Sequence, residues 1–303
     1  MLSLQPYTPA YLKSLTDLVN THLGLLPVVW QAEPREVSAC LWGSEWPHAE
    51  FWETVDNQLV TCAVENDQVI GATHLCRIRQ PEGMSDMPGS GILNWLFFQP
   101  DRTDAAALLL KHAQNRMREI KCAHVVAFEQ CSGLPFVNFT RGYSSSRWAH
   151  INTALANSGF SRIGQTVNSL MAADLTADLS PAQPDVELTL TWRSGAQSEV
   201  IATDKESGGQ IGFCTTWDMA AGSSDPAAAL WEFVAYVEVE PAFRKQGIGE
   251  YLLLLQMQRA AKAGKRHLGL VVQAQNKPAH TLYRKLGFKK LDEVWSYEAM
   301  LSA

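Results

Sequence analysis

The sequence contains no apolar run near the roughly 18 residues that a membrane-spanning helix requires. Its start also lacks the basic stretch followed by an apolar stretch that is typical of a secretory leader. Basic residues are not in excess, because 25 Lys and Arg stand against 31 Asp and Glu for a net charge of -6. This balance argues against a general electrostatic grip on nucleic acid or anionic lipid and weakly favours a cationic or amine substrate. We therefore expect a cytoplasmic protein that binds neither nucleic acid nor membranes.

The cysteines are scattered singly, without a CxxC pair, and most have apolar neighbours. A zinc site or a disulfide framework is therefore not expected, and the pattern favours buried free thiols. The residues are Cys40, Cys62, Cys76, Cys122, Cys131 and Cys214.

The chain of 303 residues, 46% of them hydrophobic, is long enough for two packed domains. A stretch at 176–184 with two prolines and small polar residues separates two strongly patterned regions and predicts a linker. We accordingly expect domains at residues 1–175 and 185–303. Both halves end in the order strand, helix, a tripeptide ending in Gly-Phe, and a last strand, which indicates two diverged copies of one α/β plan.

The hydrophobic periodicity predicts the elements of each half. In the first half we expect strands at 68–79, 92–98, 124–128 and 167–173, and helices at 10–26, 103–120 and 148–157. In the second half we expect strands at 186–192, 200–204, 210–217, 231–239, 267–273 and 293–301, and helices at 249–263 and 278–285.

A basic turn, Arg244-Lys245-Gln246-Gly247-Ile248-Gly249, joins an apolar strand to an apolar helix. The glycines permit positive φ and a convergence of backbone N–H groups, and the helix N-terminus adds partial positive charge. The pattern therefore predicts a phosphate site, although two glycines can also serve only to close a tight turn. It matches neither the Walker A nor the dinucleotide-binding pattern.

This turn resembles the coenzyme A turn of the GNAT acetyltransferase family, Q/R-x-x-G-x-G/A. Residues 268–288 resemble the family's other signature, with Asn276, Ala279, Leu282, Tyr283 and Leu286-Gly287-Phe288 in the expected order. The resemblance implies an α/β (α+β) fold of two tandem GNAT-like domains, each a mixed, mostly antiparallel sheet flanked by helices. This arrangement is similar to tandem acetyltransferases such as mycothiol synthase.

The resemblance further implies acetyl-coenzyme A as co-substrate, without a metal. The residues expected to bind it are Val237, Val239, Arg244, Lys245, Gln246, Gly247, Ile248, Gly249, Glu250, Asn276, Ala279 and Tyr283. In the first half the turn position reads Gln-Pro-Asp-Arg-Thr-Asp-Ala at 99–105, with no glycine and two acids that would repel a phosphate. We expect no coenzyme A to bind there.

In GNAT-like catalysis, as the resemblance implies, an amine attacks the thioester directly. The backbone N–H of Val239 is the candidate donor to the oxyanion, and Tyr283 is the candidate acid for the leaving thiolate. The family's glutamate position is Phe233 here, and Glu232 is one residue away. A β-bulge would restore the direction of Glu232; otherwise Glu238 or a water chain must act as base.

The sequence thus predicts an N-acetyltransferase acting on an amine of a small molecule or peptide, as a monomer or homodimer. The alternative is a non-catalytic acyl-coenzyme A sensor; the intact turn and Tyr283 favour the enzyme. Residues 192–199 leave little room for the two helices that usually form one wall of the acceptor site. We expect the N-terminal copy to supply part of that wall.

Overall fold

The computed structural model describes residues 1–42, 54–79, 89–129, 134, 137, 139, 142–176, 179–195 and 197–301. The chain forms two compact units. Unit 1 comprises Met1–Val167 together with Asp292–Ala303, and unit 2 comprises Asn168–Leu291. In each unit helices flank a mixed, mostly antiparallel sheet, so the predicted fold class is confirmed.

Seven described strands of unit 1 form a sheet in the order β1-β2-β3-β4-β5-β15-β7. All neighbours are antiparallel except β4 and β5, which are parallel. The seven strands are β1 (Ser3–Pro6), β2 (Val55–Glu65), β3 (Gln68–Ile78), β4 (Gly91–Phe98), β5 (His124–Ala127), β7 (Ser161–Arg162) and β15 (Tyr297–Met300). A further short strand, β6 (Ser144–Ser145), lies outside this sheet and pairs with Val294 and Trp295. The helices are α1 (Leu12–Leu23), α2 (Pro34–Cys40), α3 (Thr103–Glu119) and α4 (Ala149–Asn157).

The sheet of unit 2 has the order β9-β10-β11-β12-β13-β8, and only β12 and β13 run parallel. Its strands are β8 (Asn168–Asp174), β9 (Leu188–Arg193), β10 (Gln197–Asp204), β11 (Gln210–Asp218), β12 (Trp231–Val239) and β13 (His267–Gln273). Its helices are α5 (Ile248–Lys262) and α6 (Lys277–Lys285), and β14 (Lys289–Trp295) leads back to unit 1. The core lies between α5 and the sheet, where Leu252 and Met257 pack among residues such as Val200 and Leu270.

Each unit takes its closing strand from the other half of the sequence. β8, which we expected to end the first sheet, pairs with β13 in unit 2. The strand expected at 293–301 is in fact two strands interrupted at Ser296, and β15 pairs with β5 in unit 1. Both sheet assignments were wrong because periodicity identifies a strand but carries no information about its partner.

The stretch predicted as a linker belongs to unit 2. The carbonyl of Leu179 accepts a hydrogen bond from Gln258 Nε2 of α5 at 2.9 Å, and the Leu179 side chain packs on the unit 2 core. Residues 177 and 178 lie outside the described residues. The limits of the two compact units therefore differ from those expected at 175 and 185.

β12 contains a β-bulge, which was one of the two alternatives that the sequence left open for the base. Thr215 pairs with Tyr236 and Thr216 with Val234, so Ala235 is the extra residue. Beyond this point β12 and β13 diverge, since their last parallel pair is Val234 with Leu270.

Unit 1 repeats this detail at the equivalent place. His74 pairs with Trp95 and Leu75 with Leu93, which leaves Asn94 as the extra residue of β4. The parallel pairing with β5 ends at Leu93 and Ala127. A shared bulge at the start of a shared divergence supports descent of both units from one plan.

The described cysteines, all of those above except Cys131, are buried free thiols, as expected. Cys131 lies outside the described residues. Among the residues that the structure describes, no helix combines the length and hydropathy needed to cross a bilayer.

Asp292 begins the segment that returns to unit 1, and its buried carboxylate accepts hydrogen bonds from the hydroxyls of Ser145 and Ser146. We expect Asp292→Asn to lower the free energy of unfolding by about 1–3 kcal/mol, because charge-assisted hydrogen bonds are lost in a buried place. Urea denaturation measures the change. Glu298→Gln, at a half-exposed carboxylate of β15, is the control and should cost under about 0.5 kcal/mol. An Asp292→Asn variant as stable as this control would show that the hydrogen bonds from Ser145 and Ser146 to Asp292 do not stabilise the fold.

Candidate functional site

The turn between β12 and α5 comprises residues 240–247, which follow Val239 and precede Ile248. It begins with a short 3-10 helix at Pro241–Phe243 and then passes through two residues with positive φ, Lys245 at 63° and Gly247 at 82°. Gly247 is the N-cap of α5. A left-handed conformation directly before a helix is costly for residues with a side chain, so glycine at 247 lets the chain enter α5 without strain.

The backbone amides of this turn are available to a ligand. Within the described part of the chain, no N–H from Lys245 to Glu250 donates a hydrogen bond, and the first internal donor is Tyr251, to the Gly247 carbonyl at 2.9 Å. The α5 N-terminus thus offers several amides and its partial positive charge at one place. This arrangement suits a phosphate or diphosphate.

The turn opens onto a cavity of about 740 Å³. Its lining contains eleven of the twelve residues that the sequence predicted to bind the cofactor: Val237, Val239, Arg244, Lys245, Gly247, Ile248, Gly249, Glu250, Asn276, Ala279 and Tyr283. The twelfth, Gln246, directs its side chain to the Ala242 carbonyl at 3.4 Å.

Sequence reasoning missed three residues that also line the cavity, Phe243, Pro278 and Leu282. The signals were present. Phe243 immediately precedes the basic turn, and the other two lie on α6 one residue away from predicted positions.

The divergence of β12 and β13 exposes backbone groups to this cavity. The N–H of Glu240 donates to the Ile211 carbonyl at 2.9 Å, which fixes the alternation along β12. The backbone groups of Glu238 and Glu240 therefore face β11, while those of Val237 and Val239 face the side from which β13 has separated. Arg244 Nε donates to the Val239 carbonyl at 2.8 Å and holds the start of the turn against this strand end.

The other wall of the cavity is α6. Asn276 is its N-cap, and its Oδ1 accepts a hydrogen bond from the N–H of Ala279 at 3.2 Å. Its Nδ2 has no hydrogen-bond partner among the described residues, so it can donate into the cavity. The Asn276 side chain therefore both stabilises the helix start and offers a donor.

Tyr283 is almost fully buried at the inner end of this wall, with its ring 5.6 Å from that of Phe288. Burial raises the pKa of its phenol to about 12, and Cys214 adds a smaller effect in the same direction. The phenol is therefore neutral at physiological pH and keeps a proton to donate.

The structure brings neither predicted carboxylate to the cavity lining. The bulge does turn Glu232 to the face of Val237 and Val239, but its side chain is buried and forms an ion pair with Arg259 of α5. Arg259 also donates to Thr216 Oγ1 at 3.0 Å. Glu238 is exposed on the opposite face of the strand, beside the gap between β12 and β13.

The turn of unit 1 is shorter, and its arginine is already paired with carboxylates. Only residues 99–102 separate β4 from α3. Arg102 forms ion pairs with Glu65 at 2.7 Å and with Asp104 at 2.9 Å, so its guanidinium is occupied by two carboxylates. This geometry agrees with the expectation that coenzyme A does not bind there, which stays a prediction.

Aromatic side chains fill the gap that follows the divergence of β4 and β5. Phe97 stacks on Trp95 with ring centroids 5.6 Å apart and meets Trp148 edge-on at 5.5 Å. The space left beside them is about 10 Å³. The region that is open in unit 2 is therefore a packed core in unit 1.

Comparisons with known proteins agree with this division of the chain. Residues 196–290 match the acetyltransferase (GNAT) domain family. No curated protein sequence matches the chain.

Several solved structures have the same fold over the whole chain. A tandem GNAT protein from the clavulanic acid biosynthesis pathway is 13% identical with a TM-score of 0.73, covering 100% of this chain and 99% of its own. A GCN5-related N-acetyltransferase from Sphaerobacter thermophilus is 15% identical with a TM-score of 0.65, covering 100% and 96%. At these identities the likeness concerns the fold. The chain therefore has the fold of tandem GNAT proteins, and its residues 196–290 match the GNAT domain family.

Proposed function

We propose that unit 2 is an N-acetyltransferase that transfers the acetyl group of acetyl-coenzyme A to an amine of a small molecule or peptide. One observation carries the proposal: the unpartnered amides from Lys245 to Glu250 open onto a cavity that contains Tyr283 and adjoins the gap between β12 and β13. The names of the tandem GNAT protein and the N-acetyltransferase with the same fold support it.

The chain's own groups fit the diphosphate of coenzyme A. The amides of the turn would donate to its oxygens, while Arg244 and Lys245 supply formal positive charge at the rim. Arg244 is held by Nε on the Val239 carbonyl, and its terminal nitrogens have no partner among the described residues, so they can face an anion. Asn276 Nδ2 and the strand edge at Val237 are the donors in position for an amide-bearing arm that enters the gap.

When bound, the co-substrate supplies a thioester carbonyl for attack by a neutral amine. The N–H of Val239, the donor expected from the sequence, points into the gap and is the proposed oxyanion donor. The N–H of Val237 points in the same direction. A fixed backbone donor needs no reorientation as negative charge develops on the carbonyl oxygen.

Tyr283 is the proposed hydrogen-bond donor to the leaving thiolate. Its raised pKa keeps the phenol protonated, so it can donate a hydrogen bond to the sulfur as negative charge develops there on cleavage of the carbon–sulfur bond.

Glu238 is the better candidate for the base among the two carboxylates. Glu232 is engaged by Arg259 and buried, so taking up a proton would leave the Arg259 charge without its partner. Glu238 is exposed next to the gap and can receive a proton from an incoming ammonium ion directly or through water.

The alternative function is a sensor that binds acyl-coenzyme A without chemistry. We expect the enzyme, so mixing the protein with acetyl-coenzyme A and a panel of primary amines should release free thiol in the presence of at least one amine. Tight cofactor binding by calorimetry, with no thiol released above the amine-free rate across chemically diverse amines, would favour the sensor.

Replacing Tyr283 by Phe should lower kcat by roughly ten- to a thousandfold, because the leaving sulfur loses its donor. Acetyl-coenzyme A affinity should change little, since the ring remains in place. Steady-state kinetics and calorimetry separate the two effects. Tyr251→Phe, on α5 outside the cavity lining, is the matched control. Equal kcat values for the two variants would show that Tyr283 does not act as donor to the leaving sulfur.

Replacing Gly247 by Val should weaken acetyl-coenzyme A binding by at least about tenfold, because a β-branched residue cannot keep the positive φ that aligns the amides. Gly264→Val is the matched control. Gly264 also has positive φ, at 85°, but lies at the other end of α5 with open space around it. Both variants should lose stability, about 1–2 kcal/mol or more, while only the first should lose affinity in calorimetry. Equal affinities would show that the turn does not bind the cofactor.

A further inference from the structure

The two helices that border the cavity are joined by an ion pair. Lys285 Nζ, in the last turn of α6, lies 2.7 Å from Glu250 Oε2, in the first turn of α5. The Glu250 side chain is 28% exposed and the Lys285 side chain 65% exposed, so the carboxylate is the more enclosed partner. Glu250 also lines the cavity, at the same helix end that carries the unpartnered amides.

A carboxylate at this place has two opposite effects. It favours the apo helix, because negative charge stabilises a helix N-terminus. It also lies where a diphosphate would approach the same amides, and the negative charges of the carboxylate and the diphosphate would repel each other. A free carboxylate at Glu250 would therefore stabilise α5 and weaken binding of the cofactor.

The Lys285 ammonium removes the second effect. The charges of Glu250 and Lys285 cancel each other. The net charge at the rim of the cavity is then the positive charge of Arg244 and Lys245, which have no ion-pair partner among the described residues. Unit 1 shows the contrasting case, in which one guanidinium, Arg102, faces two carboxylates and leaves a negative balance at the turn.

We propose that Lys285 is a determinant of coenzyme A affinity that acts through Glu250: it neutralises the carboxylate beside the diphosphate amides and ties α6 to α5 on the two sides of the cavity. The inference rests on the proposed function, because it concerns the same cofactor site. It assigns to Lys285 a positioning role and no contact with the reacting atoms.

A double-mutant cycle with calorimetric titration of acetyl-coenzyme A tests the proposal. At about 25 mM salt, Lys285→Met should weaken binding by about three- to tenfold, because an unpaired carboxylate then faces the diphosphate. Glu250→Gln should bind at least as tightly as the wild type. The double variant should bind within about twofold of Glu250→Gln, since removing Lys285 does no harm once the carboxylate is gone.

Salt and a charge-matched control complete the design. The loss in Lys285→Met should shrink at about 0.5 M salt, where charges at the surface are screened. Lys262→Met removes an exposed positive charge from the far end of α5 and should leave affinity unchanged. Urea unfolding of the wild type and the three variants of the cycle, all without cofactor, gives a second readout. Lys285→Met should lower the free energy of unfolding by no more than the loss of an exposed ion pair does.

The outcomes separate this inference from the proposed function. Absence of acetyl-coenzyme A binding by the wild type overturns the proposed function itself. Binding by the wild type with equal affinities for Lys285→Met and Lys262→Met overturns only the inference. A double variant as weak as Lys285→Met also overturns it, because Lys285 would then contact the cofactor directly.

Discussion

The separation of two parallel strands is the constraint on which the site of unit 2 depends. β12 and β13 pair as far as Val234 and Leu270 and then part, with the bulge residue Ala235 at the point of separation. Backbone groups of Val237 and Val239 are left without a neighbouring strand, and of these the Val239 carbonyl accepts a hydrogen bond from Arg244 Nε. The same edge leads into the turn, where the amides from Lys245 to Glu250 donate no hydrogen bond within the described part of the chain, so main-chain donors lie both at the gap and at the α5 N-terminus.

Unit 1 carries the same constraint with a different solution. Its bulge at Asn94 and the end of pairing at Leu93 match unit 2, but the gap is packed with Trp95, Phe97 and Trp148. Its turn is about half as long, and its one well-placed cation is engaged by two carboxylates. A duplicated backbone feature therefore does not imply a duplicated activity, because the side chains decide whether the gap holds a ligand or a core.

Local features were readable from the sequence, and long-range ones were not. The glycine turn depends on backbone conformations that a few adjacent residues determine. The twelve predicted residues came from the resemblance of this turn and of residues 268–288 to the GNAT signatures, and eleven of them line one cavity. The pairing of β8 with β13 and of β15 with β5 was missed, because nothing in the residues of either strand identifies the strand beside it. The pairing of Glu250 with Lys285 was missed for the same reason, since 35 residues separate them along the chain.

The bulge itself is held by α5, which couples the gap to the turn at residues 240–247. Gln256, fully buried on α5, donates from Nε2 to the carbonyls of Cys214 at 2.9 Å and Ser198 at 3.1 Å, next to the register shift of β11. Arg259 donates from Nε to Gln256 Oε1 at 2.8 Å and from a terminal nitrogen to the Glu232 carboxylate. Burying such polar groups is costly unless all are paired, so this network fixes the position of α5 against the strands that diverge. Glu232 is then better understood as part of the support that keeps the α5 N-terminus facing the gap than as the group that removes a proton from the substrate.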